Sequence, residues 1–175
     1  MSVTIDESNL IFGEYEEESL FRIEKSSLIG SLGEGIRTVE FILRYKDDEI
    51  LLVEAKSSSP KPGNQEDFDS FIDEIQEKFV HSTELYFSLV LKRLDDKEGE
   101  MPDFFRTVDY AKAKIKLLLV INGHKIEWLP PIANALREKL IRHIKTWRLE
   151  VAVINHEQAK SYGLLTDDHA LKHTT

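Results

Sequence analysis

The chain has 175 residues and a formal net charge of −9, with 41% hydrophobic and 31% charged residues. These values fit one soluble globular domain and exclude a disordered or collagen-like chain. The absence of cysteine excludes a disulfide framework, a cysteine nucleophile, thiolate zinc and iron–sulfur sites.

No apolar run approaches the ~18 residues of a membrane span, and the acidic start MSVTIDESNL is unlike a signal peptide. The expected setting is one domain over residues 1–175 in a reducing cytoplasm, without membrane contact. The charge is uneven. Residues 1–105 hold 11 basic against 25 acidic side chains, whereas residues 106–148 hold 10 against 3. A basic surface inside an acidic protein is therefore available to a polyanion, or it serves to neutralise the acidic half internally.

In chain order, residues 1–19 read as an acidic segment, loose or a short helix, and residues 20–29 as a first strand. GSLGEG at 30–35 is a glycine-rich loop without the lysine and hydroxyl spacing of a phosphate-binding loop. Residues 36–45 alternate Val39, Phe41, Leu43 and Tyr45 with Thr38, Glu40, Ile42 and Arg44, a strand pattern. After a polar turn, residues 50–56 form a second such strand, close enough to pair as a hairpin. Pro62 and Gly63 then precede a helix over 64–94, with Phe68, Phe71, Ile72, Ile75 and Phe79 at helical spacing. Its early acidic residues read as a solvated face. A short helix over 103–113, a buried strand over 115–121 and a short paired strand over 124–129 follow. A helix over 131–147, a strand over 148–154 and an uncertain tail over 156–175 complete the chain. The order predicts an α/β fold, a mixed central sheet flanked by helices.

Glu54 and Lys56 end an apolar strand, and alternation points both to one face. Pairing the apolar faces of the two strands requires residue numbers across the ladder to sum to an even number. A three-residue loop at 47–49 then sets Ile42 opposite Glu54 and Glu40 opposite Lys56. Two carboxylates and an amine meet in one cluster. Such carboxylates repel unless a lysine or a hard divalent cation lies between them. A cation there can position water, with Lys56 orienting that water or stabilising charge on a phosphate. A salt-bridged end to the hairpin needs no catalysis and is the alternative.

An acidic residue on one strand, a hydrophobic strand ending in Glu-x-Lys and a following helix resemble the core of PD-(D/E)XK nucleases. The resemblance spans residues 20–121, with its motif in VEFILRYKDDEILLVEAK at 39–56. It implies a restriction-endonuclease-like fold and hydrolysis of phosphodiester bonds with Mg²⁺ or Mn²⁺, in settings such as restriction, repair, recombination and antiphage defence. It implies that Glu40 and Glu54 bind the metal and that Lys56 is the catalytic lysine. The usual first acid is Asp, and here it is Glu. Members often add a Glu from a helix before the first strand; Glu14, Glu16, Glu17 and Glu18 are candidates, and Glu34 could be an outer ligand.

For nucleic acid, DNA ahead of RNA, the best footprint is the helix over 131–147 with Arg137, Arg142, Lys145 and Arg148; an ordinary amphipathic surface helix reads the same way. A bare core with no base-reading module suggests a homodimer or a subunit of a larger complex. The rival function is a nuclease-like fold used as a scaffold without catalysis. A DNA-mimicking inhibitor fits less well, because residues 106–148 are basic. His169 and His173 share helical metal-pair spacing but lack a further ligand in view.

Overall fold

The computed structural model describes residues 1–61 and 63–166; Pro62 and residues 167–175, with the His169/His173 pair, lie outside the described residues. Residues 1–19 are neither loose nor helical. They form an antiparallel hairpin, β1 (Ser2–Glu7) and β2 (Leu10–Glu16). The acidic composition masks an alternation: Ile5, Leu10, Phe12 and Tyr15 are buried, while Glu14 and Glu16 face solvent. Ser8 and Asn9 both take positive φ, 53° and 60°, as a tight two-residue hairpin turn requires.

Residues 20–29 are not one strand either. β3 is only Leu20–Phe21, followed by a 3-10 turn at Ile23–Lys25 and α1 (Ser27–Ser31). Ser26 makes the switch, because its hydroxyl accepts from Leu28 N at 3.2 Å and caps the helix. β4 (Phe41–Lys46) starts later than the alternation predicts. Just before it, Val39 N donates to Ser82 Oγ at 2.8 Å instead of joining a ladder. β5 (Glu49–Lys56) follows as expected, and the long α2 (Gln65–Val90), capped by Asn64 through Asp67 N, ends four residues before the predicted 94 because Lys92 takes a left-handed φ of 56°.

The predicted helix over 103–113 shrinks to a 3-10 turn at Asp103–Thr107. Side chains take the carbonyls a helix would use: Arg44 Nη1 donates to Phe104 O at 2.7 Å and the Tyr110 hydroxyl to Phe105 O at 2.6 Å. β6 (Lys114–Ile121) comes next. Residues 124–129 form no strand, because β6 already has β5 on one side and β7 (Leu149–Asn155) on the other. They form a 3-10 turn at Ile126–Trp128 instead. The helix over 131–147 is two helices, α3 (Leu129–Lys139) and α4 (Ile141–Trp147), broken at Leu140. There ψ of 6° turns the chain so that Leu136 and Leu140 both bury. α5 (His156–Ser161) begins the tail and carries a capping box at Asn155.

The main sheet runs β3-β4-β5-β6-β7. β3, β4 and β5 are antiparallel; β5–β6 and β6–β7 are parallel, joined by helical crossovers. One face packs Ile42, Leu52, Leu117 and Leu119 against Ile75, Phe79 and Tyr86 of α2 and Ile132 and Leu136 of α3. The other packs Phe41, Leu43, Val53 and Val120 against the β1–β2 hairpin and Ala159 of α5. The molecule is thus α/β, with a mixed five-stranded sheet flanked by helices. Among the described residues, no helix is long and apolar enough to cross a membrane.

The hairpin forms one side of this core. Phe12 is fully buried, edge-on to Phe41 with ring centroids 5.3 Å apart. Phe12→Ala is expected to cost about 3–5 kcal/mol in urea denaturation. A loss under about 1 kcal/mol would mean that the hairpin is peripheral to folding.

The strand register keeps the expected parity but not the expected partners. Phe41 pairs Val53, Ile42 pairs Leu52 and Arg44 pairs Ile50, two residues away from the predicted alignment. The turn is shorter, with Lys46 opposite Glu49, and an irregularity at Tyr45 absorbs the difference. Ile42 therefore does not oppose Glu54, and Glu40 does not oppose Lys56.

Candidate functional site

β5 carries Glu54 and Lys56 toward α2, on the face of Ile50 and Leu52. Glu54 is 0% exposed. Its Oε1 accepts from Lys78 Nζ of α2 at 2.8 Å and lies 3.5 Å from Lys56 Nζ. Its Oε2 is buried without a hydrogen-bond partner. Burial pushes the Glu54 carboxyl above its ordinary pKa, and the Lys78 and Lys56 ammoniums oppose that rise.

Lys56 lies nearer to α2 than to Glu54, donating to Glu74 Oε1 at 2.6 Å. Burial alone would lower the Lys56 pKa. The hydrogen bond it donates to Glu74 and the charge of Glu54 outweigh it and hold the amine above its usual value. Glu74 is correspondingly lowered, first by its bond to Lys56. Glu74 and Lys78 stand four residues apart on α2, one helical turn, and so meet Lys56 and Glu54 two residues apart on β5.

Glu40 lies just before β4, with its N–H donating to Val53 O at 3.0 Å. It is buried and, with Glu7 and Glu24, offers carboxylate oxygens that all lie within 4.8 Å of one another. Burial, a hydrogen bond with Glu24 and the charges of Glu54, Glu24 and Glu7 push its carboxyl up to about 8. Glu24 arrives on the 3-10 turn after β3. Glu7 arrives at the end of β1, where the hairpin turn is stapled to the main sheet: Ser8 Oγ donates to Ala55 O at 3.0 Å and Asn122 Nδ2 to Ser8 O at 3.2 Å. Arg22 steadies Glu7 at 3.4 Å.

The predicted trio thus divides. Glu54 and Lys56 are in contact, while Glu40 joins Glu7 and Glu24 and reaches Glu54 through charge. Glu7 and Glu24 carry no local signal in the sequence. Glu74, among the early acidic residues of α2 that read as a solvated face, instead accepts from Lys56, and its i, i+4 spacing from Lys78 on an amphipathic helix is the one sequence signal for that pair. Glu14, Glu16, Glu17, Glu18 and Glu34 have no place in the cluster of three carboxylates.

The basic residues lie toward the other end of the sheet. Lys56 aligns with Ile121 and Asn155, whereas Arg148 immediately precedes Leu149, which aligns through Ile115 with Ile50. Six residues of strand, about 20 Å, separate those two levels. Arg142 and Lys145 share a face of α4, and Arg137 Nη2 donates to Val151 O at 3.0 Å.

The carboxylates suit a hard cation. Oxygens on opposite sides of a cation at about 2.1–2.4 Å stand about 4.2–4.8 Å apart. A cation would replace the proton that Glu40 holds at neutral pH, and the bare Glu54 Oε2 is a further oxygen left without a partner. Comparison with family models, curated proteins and solved structures yields no match.

Proposed function

We propose that this protein is a divalent-metal-dependent nuclease with a restriction-endonuclease-like core, acting on DNA ahead of RNA. The observation that carries the reading is the fully buried Glu54 carboxylate, with one oxygen unpartnered, beside Lys56 and next to the Glu40 cluster. Glu40 and Glu54, helped by Glu24 and Glu7, would hold Mg²⁺ or Mn²⁺. The bound ion supplies Lewis-acid polarisation of the phosphate and acidifies water. Lys56 keeps its proton at neutral pH, since Glu74 and Glu54 outweigh its burial. Its part is to donate a hydrogen bond to the attacking water or to a non-bridging phosphate oxygen, which stabilises the charge that develops there. Restriction, repair and antiphage defence each require this reaction, with a second copy or a partner subunit supplying specificity.

The test is cleavage of labelled single- and double-stranded DNA and RNA with Mg²⁺, Mn²⁺ or EDTA. Cleavage of at least one substrate, abolished by EDTA, is the expected result. A second reading, a scaffold without catalysis, is favoured by one feature: Lys56 Nζ sits at 2.6 Å from Glu74 and 3.5 Å from Glu54, already held by two carboxylates. Absent cleavage together with absent Mn²⁺ binding would establish that reading instead.

A further inference from the structure

Four charged side chains bridge β5 and α2 as two crossed ion pairs, Lys78 with Glu54 and Lys56 with Glu74. Both ammoniums approach the same oxygen of Glu54, Lys78 at 2.8 Å and Lys56 at 3.5 Å. The second oxygen is left bare in a fully buried setting, an arrangement that costs free energy unless something else occupies that side. Lys78 is itself only 14% exposed, so its ammonium has little water to turn to. We infer that Lys78 is a positioning residue of the proposed cation site: it fixes Glu54 through Oε1, leaves Oε2 for the ion, and leaves the shorter hydrogen bond of Lys56 to Glu74.

The inference rests on the proposed cation site. Without Lys78, Lys56 is the cation left between two carboxylates, and Glu54, the buried one, draws it away from Glu74. Glu54 then loses its fixed orientation, and Lys56 is drawn off Glu74 onto the buried carboxylate. An ordinary structural ion pair predicts lost stability alone. A positioning role also predicts lost cation affinity in protein that remains folded.

Two measurements decide this on the full chain. Mn²⁺ alone, followed by the paramagnetic signal of the free ion, is expected to bind Lys78→Met about tenfold or more weakly than wild type. Lys78→Arg, which keeps the charge and the hydrogen bond, recovers most of the loss. Circular dichroism confirms that each variant is folded. Thermal unfolding of Lys78→Met, Glu54→Gln and the double variant needs no metal. Lys78→Met alone is expected to lower the midpoint by about 6–12 °C, because it strands a buried carboxylate. In the Glu54→Gln background the same change costs clearly less. Additive shifts, or wild-type Mn²⁺ affinity in folded Lys78→Met, overturn the inference. If wild type binds no Mn²⁺, both the proposed function and a role toward a cation fall, and the thermal cycle reports whether Lys78 still fixes Glu54.

Discussion

Glu54→Gln is expected to remove Mn²⁺ binding and to slow cleavage on the order of a thousandfold, the several kcal/mol that a Lewis-acidic ion supplies. The substitution keeps the shape of a fully buried side chain and removes only its charge. The fold should survive for a specific reason. Burial disfavours the Glu54 carboxylate, so its loss relieves a desolvation cost while leaving Lys78 an amide oxygen to donate to but no counter-charge there. Glu74 already feels Lys78 and can accept it. The net loss in urea denaturation should therefore stay near 1–3 kcal/mol, roughly that of a hydrogen bond to a charged group. Lys56→Met separates the two roles: cleavage falls about a hundred- to thousandfold, as for one lost transition-state donor, while Mn²⁺ still binds. If Glu54→Gln binds Mn²⁺ as wild type does, Glu54 is not a ligand and the site assignment fails.

Alternation on 36–45 and 50–56 was enough to tell which residues share a face, and the observed register keeps that parity. Glu54 and Lys56 accordingly meet as expected. Parity could not set the alignment itself, because an irregularity at Tyr45 and a shorter turn move it by two residues without exposing an apolar side chain. Glu40 therefore misses Lys56 and finds Glu24 instead. Glu7 was illegible for a different reason. Its position depends on Ser8 reaching Ala55 across 47 residues and on Asn122 reaching Ser8 across 114, contacts with no local signature. The hairpin that carries Glu7 was hidden by composition, since acidic residues on its outer face masked the buried Ile5, Leu10, Phe12 and Tyr15. The helix crossovers were legible because long apolar periodicity survives such details, as α2 shows.

Raising the pH should strengthen cation binding and weaken the metal-free fold over the same interval. Glu40 is pushed up to about 8 by its burial, its bond to Glu24 and the surrounding carboxylates. In the unfolded chain it titrates near 4.5. Between those values the folded protein holds a proton that the unfolded chain has released. Stability from this group is thus complete below about pH 4.5 and is lost as pH climbs through 8, by at most about 1.4 kcal/mol per unit. Glu54, also raised, acts in the same direction. The lowered pKa values of His124 and His143 act in the opposite sense, costing stability as pH falls toward and below their ordinary 6.5. The clean window for melting temperature is therefore pH 6.5 to 8.5. A cation must displace the Glu40 proton, so apparent Mn²⁺ affinity should rise up to about tenfold per unit from pH 6 to 8 and level off beyond. Added Mn²⁺ should then stabilise most where the metal-free protein is weakest. Glu40→Gln should flatten both profiles, and its difference from wild type cancels the background of other titrating groups. If wild type and Glu40→Gln share the same pH dependence, Glu40 carries no proton in this window. The cation would then have to be held by Glu54 without the Glu7, Glu24 and Glu40 cluster.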